Sequence, residues 1–124
     1  MTVQELYAQI GGSYEDAKRT LPMDKLIAKF VVKFLDDKSA ERLFSAWDAR
    51  DAAALFEGAH AMKGVCANIG LTALSASASA LAEEFRPGKG RAMDDAEVQR
   101  RVDALRADYD RTVEGIRAFA AEQQ

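Results

Sequence analysis

The sequence is poor in the residues that staple small proteins or bind metals: it has one cysteine, Cys66, and one histidine, His60. A single cysteine cannot form a disulfide within the chain. One histidine and one cysteine cannot complete a four-ligand zinc site, so no metal site is expected. Helical spacing places Cys66 on an apolar stripe, and we therefore expect a buried, inert thiol.

Long apolar runs and blocks of basic residues are also missing. No stretch approaches the roughly 18 apolar residues of a membrane-spanning helix. The 17 lysines and arginines are dispersed among 20 aspartates and glutamates, which gives a net charge of −3. These features argue against nucleic acid and membranes as partners. The opening MTVQELYAQI lacks the basic and then apolar order of a signal peptide, so a cytoplasmic protein is expected.

Only two prolines occur, Pro22 and Pro87, and both lie between stretches of helical periodicity. No stretch has the period of a β-strand. Four long amphipathic segments with short links predict an all-α fold, an antiparallel four-helix bundle with short additional N-terminal helices. We expect residues 1–124 to form one domain. One wide apolar stripe should be buried, formed by Met23, Leu26, Ile27, Phe30, Val31, Phe34 and Leu35.

Several helix ends are marked by residues with specific backbone chemistry. Ser13 and Asp94 are expected to cap helices through their side-chain oxygens. Pro22 suits the first turn of a helix, and Thr72 is placed to cap another. Gly70 suits the left-handed residue that ends a helix.

His60 lies in the stretch Ala59 to Leu74, on a predicted helix, but away from the apolar face of that helix. At about 100° per residue, His60 points roughly 140° from the centre of that face. The face itself is formed by Leu55, Ala59, Met62, Cys66 and Ile69. The neighbours of His60 on the wheel are small or polar: Ala53, Glu57, Gly64 and Ala67. This surrounding predicts an imidazole that another molecule can reach.

The segment His60-Ala-Met-Lys63-Gly64, followed by Asn68, Gly70 and Leu74, resembles the signature of histidine-containing phosphotransfer (HPt) domains. These are four-helix phosphorelay modules with the pattern H-x-L-K-G-x-x-x-N-[IL]-G. Here Met62 stands in place of the usual leucine, a swap of similar volume that cores tolerate. The resemblance covers most of the chain, from about Leu6 to Phe119.

The resemblance implies that His60 accepts a phosphoryl group through a nucleophilic ring nitrogen. Lys63, one turn on and about 60° round the helix, would neutralise phosphoryl oxygens with its ammonium. Gly64, Ala67, Ala53 and Glu57 would form the face on which a partner docks. Gly64 costs roughly 1 kcal/mol in a helix interior relative to alanine, which favours a role in access. Phe56 is expected either to anchor the partner or to lie half-buried against a neighbouring helix.

The resemblance also implies a phosphocarrier rather than an autonomous kinase. The sequence has neither a P-loop nor a glycine-rich kinase loop, and no acidic cluster spaced like the Mg²⁺ pocket of a receiver domain. The expected partners are response-regulator receiver domains and a hybrid sensor histidine kinase. Mg²⁺ is expected on the receiver, and no cofactor on this chain. A monomer is expected, because one face must stay free.

Two other functions fit the same segment. A non-catalytic helical adaptor would dock receivers or kinases without being phosphorylated. A phosphatase would need a side chain that orients water, and none is evident beside His60. Asn68 is expected to form a hydrogen bond at the helix end rather than to contact phosphate. Glu83 and Glu84 are expected on solvated faces, which argues against a paired-carboxylate hydrolase.

Overall fold

Helices form most of the chain in the computed structural model, which describes residues 1–123. The predicted all-α fold is confirmed, and no β-strand occurs within that range. Seven α-helices and one 3-10 turn follow one another along the chain: α1 (Val3–Ile10), α2 (Tyr14–Thr20), α3 (Asp24–Lys33), the 3-10 turn (Phe34–Asp36), α4 (Ser39–Asp48), α5 (Ala52–Asn68), α6 (Thr72–Glu84) and α7 (Asp95–Glu122). None of the helices in these 123 residues is long and apolar enough to cross a membrane.

Three predicted helix ends are confirmed, because each depends on local chemistry. Ser13 accepts a hydrogen bond from the backbone N–H of Asp16 at the start of α2. Asp94 does the same for Glu97 at the start of α7. After α5 the chain turns at Gly70, whose φ of 74° lies in the left-handed region that favours glycine.

Two other predicted helix starts are wrong. Pro22 lies outside α3, which begins at Asp24 with Met23 in the cap position. Thr72 is the first residue of α6 rather than its cap. The backbone N–H of Leu71 is already bound to the carbonyl of Cys66, 2.9 Å away, so the turn closes early and α6 begins without a side-chain cap.

Helices α4 to α7 contact one another in a ring. α4 packs on α5, α5 on α6 and α6 on α7, and α7 returns to contact α4. α4 runs antiparallel to α7, because Trp47 donates to Gln99 (2.7 Å) while the ring of Phe44 meets Tyr109 further along α7. The N-terminal helices are attached outside this ring, with α1 and α3 both against α7.

The core is one continuous cluster that runs from Val3 to Phe119. α5 contributes its whole predicted apolar stripe, all buried: Leu55, Ala59, Met62, Cys66 and Ile69. Burial raises the pKa of the Cys66 thiol to about 12, with a smaller contribution from the charge of Asp37. This stripe fixes the rotation of α5 and therefore decides which of its side chains face solvent.

The predicted burial of the wide stripe on α3 is wrong for part of its length. Ile27, Val31 and Phe34 are buried, but Met23 is 57% exposed and Phe30 is 38% exposed. The remaining two residues of the stripe are half-buried: Leu26 and Leu35. α3 packs against α7, α1 and α2, and these neighbours cover only one edge of a stripe that extends further round the helix.

Glu84 ends up buried rather than on a solvated face. Its carboxylate accepts hydrogen bonds from the backbone N–H groups of Met93 (2.7 Å) and Ala92 (3.0 Å) and from the Lys89 ammonium (3.3 Å). The Met93 hydrogen bond, supported by Lys89 and Ala92, holds the pKa of Glu84 below its ordinary value although burial opposes this. This single carboxylate ties the loop between α6 and α7 to the end of α6.

Candidate functional site

The candidate site lies on the solvent-facing side of α5. Asp51 fixes the start of this helix by accepting a hydrogen bond from the backbone N–H of Ala54 (3.1 Å). With the apolar stripe turned to the core, His60 is exposed, where the helical wheel places it. Lys63, one turn further along, is exposed as well.

The imidazole of His60 is stacked on the ring of Phe56, one turn earlier in α5. The two ring centroids are 5.6 Å apart and the ring planes differ by 20°. Phe56 is half-buried and packs against the core, which is the second of the two arrangements considered for it. Within residues 1–123, neither nitrogen of His60 has a hydrogen-bond partner. The ring is therefore oriented by an aromatic neighbour rather than by a polar one.

Lys63, one turn after His60, carries an ammonium that is free of ion pairs in the described chain. No carboxylate in the described part of the chain lies within ion-pair distance of it. Its backbone carbonyl accepts a hydrogen bond from the hydroxyl of Ser75 (3.0 Å), which ties this turn of α5 to α6. The side chain lines an open depression together with Arg19, but the guanidinium of Arg19 is already paired with Asp16 at 2.6 Å.

The small residues around His60 leave the face of α5 clear. Ala53, Gly64 and Ala67 are all exposed. A β-carbon built at Gly64 would meet no heavy atom within 4 Å, so packing does not require glycine there. Gly58, on the buried side, differs, because its β-carbon would lie 2.8 Å from the backbone nitrogen of Leu43 in α4.

Glu57 lies on the α4 side of the same exposed face. It is exposed and lines a shallow depression between α4 and α5. The site residues predicted from the sequence therefore share one solvent-facing surface of α5, with Lys63 on the α6 side and Glu57 on the α4 side.

The end of α5 is held by contacts that the sequence did not predict. The hydroxyl of Tyr7 donates to the carbonyl of Ile69 (2.5 Å), and the backbone N–H of Ser13 donates to the carbonyl of Gly70 (2.8 Å). Nothing in the sequence around Tyr7, which lies four residues before the pair Gly11 and Gly12, indicated that its hydroxyl would bind a distant carbonyl. Asn68, predicted to form a hydrogen bond at this helix end, has no side-chain partner in the described chain. The turn is closed by backbone hydrogen bonds from Gly70 to Ala67 and from Leu71 to Cys66.

The arrangement is suited to nucleophilic chemistry. It combines a solvent-facing imidazole, an unpaired ammonium one turn away and a helix face without bulky side chains. No group of three or more histidine, cysteine, aspartate or glutamate side chains is placed to bind a metal ion within residues 1–123.

The model of one protein family, the Hpt domain, matches residues 30–115 of the chain. The matched region begins in α3, contains all of α4, α5 and α6 and ends within α7, so His60 and its neighbours lie inside it. No curated protein matches the chain, and no solved structure does.

Proposed function

This chain belongs to the Hpt-domain family, and from that premise we propose that it is a histidine phosphotransfer protein. In this proposal His60 accepts a phosphoryl group from the aspartyl phosphate of one receiver domain and passes it to the aspartate of another. The observation that carries the proposal is the exposed, unpaired imidazole at the centre of a cleared helix face inside the matched region.

The proposed transfer is an in-line displacement at phosphorus. A ring nitrogen of neutral His60 donates its lone pair to the phosphorus, and the bond between phosphorus and the aspartate oxygen breaks. The aspartate leaves as a carboxylate, and the proton on the other imidazole nitrogen is released to water. In the reverse displacement the carboxylate of a second receiver attacks the phosphorus, the bond between phosphorus and the ring nitrogen breaks, and the imidazole takes up a proton from water, which returns the histidine to its neutral starting state. No step requires a nucleotide.

Lys63 is proposed to stabilise the charge on the phosphoryl oxygens during both displacements. Its ammonium suits this role because no carboxylate of the described chain competes for it. A compact, mobile point charge can follow the phosphoryl group as it moves between the two proteins. Mg²⁺, which is expected on the receiver, would supply further charge neutralisation.

The surrounding face is proposed to be where the receiver docks. Gly64, Ala67 and Ala53 would allow its active-site edge to approach the helix closely, and Glu57 would border that contact. Phe56 would act through His60, because the stack limits the orientations of the imidazole. We propose that a hybrid sensor histidine kinase or its receiver lies upstream, and that the protein works as a monomer with this face free.

The test is phosphoryl transfer from a phosphorylated receiver domain to the wild-type protein and to His60→Gln. We expect label on the wild type alone, because His60 is the only histidine in the chain. The label should be lost in acid and survive alkali, whereas an aspartyl phosphate is lost in alkali. Equal labelling of His60→Gln would contradict the proposal. A wild type that binds receivers but takes up no label would instead support the adaptor function.

A further inference from the structure

α3 exposes large apolar side chains beside the candidate site. In the described chain the exposed large hydrophobic residues are Met1, Met23 and Phe30, and two of these belong to α3 or its cap. Phe30 is 38% exposed although the residues next to it on the buried edge, Ile27 and Val31, are fully covered. A single exposed apolar side chain is ordinary on a protein surface, so the charges around Phe30 decide whether it belongs to a contact surface.

Phe30 is flanked by a row of lysines. Lys25, Lys29 and Lys33 follow one another at four-residue spacing and are exposed. The ammonium groups of Lys29 and Lys33 lie 5.9 Å and 5.6 Å from the centre of the Phe30 ring. None of the three forms an ion pair within residues 1–123. Like charges four residues apart destabilise a helix slightly, so the lysine row does not serve the stability of α3. The row also stands out because the chain as a whole is acidic.

The only acidic residue of α3 does not neutralise this row. Asp24 is bound to the Lys18 ammonium (3.0 Å) and to the hydroxyl of Tyr14. Three lysines against one aspartate leave α3 with a local excess of positive charge in a protein of net charge −3. The row therefore offers three unpaired ammonium groups, two of which, on Lys29 and Lys33, lie close to the exposed Phe30 ring.

This surface is continuous with the face of α5 that carries His60. Phe30 and Lys33 line one depression together with Val65 and Asn68 of α5. Asn68 follows His60 by eight residues, which is about 12 Å along the helix and about 80° round it. The carboxylate of Asp37 also borders the depression and is negatively charged, but it is held by hydrogen bonds from the backbone and hydroxyl of Ser39 and forms no ion pair with Lys33 in the described chain.

We propose that the receiver domain that exchanges phosphate with His60 binds a surface of α3. This α3 docking surface is formed by Lys25, Lys29, Phe30 and Lys33. The inference rests on the proposed function and adds the chemistry of the partner's contact surface. The contact surface of the receiver would be an apolar side chain surrounded by aspartate or glutamate residues, next to the phosphorylated aspartate. Receivers without such a surface would transfer phosphate poorly.

Charge complementarity favours this occupant. The partner must bring an acidic, Mg²⁺-binding active site to His60, so carboxylates already gather at the edge that approaches α5. A row of ammonium groups beside the target speeds encounter with such an edge and fixes its orientation. Phe30 would supply the apolar anchor at the centre of the contact.

The test compares three single variants: Lys29→Glu, Phe30→Ala and the matched control Arg117→Glu. Arg117 is exposed on α7 and also forms no ion pair with the described residues, so its reversal changes net charge equally. Transfer is measured with a phosphorylated receiver domain that labels the wild type. We expect kcat/KM to fall about tenfold in Lys29→Glu and in Phe30→Ala, and Arg117→Glu to match the wild type.

Salt and a small donor separate docking from chemistry. The Lys29→Glu defect should shrink as ionic strength rises, whereas the Phe30→Ala defect should persist. Phosphoramidate, which needs no docking, should label His60 equally in all variants. Circular dichroism and thermal unfolding show whether each variant is folded.

If Lys29→Glu and Phe30→Ala are folded and their kcat/KM for transfer stays within twofold of the wild type, the docking proposal is refuted and the proposed function is unaffected. The docking surface is overturned as well if the substitutions leave transfer unchanged but weaken co-sedimentation with vesicles of phosphatidylcholine and phosphatidylserine, or abolish a dimer in sedimentation. If phosphoramidate and every receiver fail to label the wild type, the proposed function itself is refuted, and the docking proposal that rests on it is refuted with it.

Discussion

Gly64 allows the proposed docking face to be tested separately from the stability of the fold. The residue is exposed in the middle of α5, and a β-carbon there would meet no heavy atom within 4 Å. Glycine is less favourable than alanine in a helix interior by about 0.8–1 kcal/mol. Gly64→Ala should therefore raise the free energy of unfolding by about 1 kcal/mol.

The expected change is large enough to measure by calorimetry. At about 2.1 cal/mol/K per residue, a chain of 124 residues unfolds with an entropy near 0.26 kcal/mol/K. A gain of about 1 kcal/mol then raises Tm by about 4 °C. Gly58→Ala is the matched control in the same helix. Its β-carbon would lie 2.8 Å from the Leu43 nitrogen and 3.1 Å from the Leu43 Cα, so Tm should fall.

Gly64→Gln tests access to His60. Glutamine forms helices well, so the variant should be at least as stable as the wild type. Its long side chain would occupy the space beside the imidazole and obstruct a docked receiver. We expect transfer from a phosphorylated receiver domain to fall about tenfold, which is roughly 1.4 kcal/mol in the barrier. Phosphoramidate, a small donor, should label His60 in the variant at the wild-type rate.

Two results would refute this reasoning. A stable Gly64→Gln protein that accepts phosphate at the wild-type rate would show that the cleared space is not used by the partner. A Gly64→Ala protein with a lower Tm than the wild type would show that the glycine serves the fold.

Four further positions lead to predictions of their own. Lys63→Met should lower transfer to His60 about tenfold and change the free energy of unfolding by less than about 0.5 kcal/mol, because no ion pair is lost. Transfer assays would check the first expectation, and urea unfolding would check the second. Because the pKa of Glu84 is lowered in the folded state, its stabilising contribution is present above the ordinary carboxyl pKa and is lost as pH falls through the folded value. Glu84→Gln should therefore be less stable at pH 7 but lose less stability between about pH 5 and pH 3, as unfolding titrations would show. With its pKa raised to about 12, Cys66 should resist iodoacetamide at pH 8 in the native protein and react after unfolding, as mass spectrometry would record. Gly70→Ala should cost about 2 kcal/mol or more, since alanine is strained at φ 74° and its β-carbon would lie 2.5 Å from the Ser13 carbonyl oxygen. Thermal unfolding measures that loss, and a variant as stable as the wild type would contradict it.

The helical class and several helix ends were predictable because they depend on residues close in sequence. Ser13 and Asp94 cap their helices with their own side chains, and Gly70 takes a backbone conformation that few other residues adopt. Thr72 failed as a cap because a backbone hydrogen bond from Leu71 to the carbonyl of Cys66 closed the turn first. Such a bond depends on how the two helices meet, which the local sequence does not express.

The sequence predicted which face of α5 carries the candidate site, but it did not predict the contacts that its side chains make. The apolar stripe of α5 is long and regular, so the side opposite it, with His60 and Gly64, could be expected to face solvent. Phe56 left two interpretations open, because four-residue spacing allows a stack without requiring one. On α3 the periodicity marked the apolar residues, but exposure of Phe30 depends on how far the neighbouring helices reach across it. Glu84 likewise gained its partners from a loop that folds back over it.

The anchoring of the α5 end by Tyr7 and Ser13 bears on how this module can be shortened or grafted. The region matched by the family model begins at residue 30, yet both anchoring residues lie before it. A fragment trimmed to that boundary would leave the carbonyls of Ile69 and Gly70 without these donors and uncover the core against α1. A chimera built around His60 should therefore include α1 and α2 together with α5.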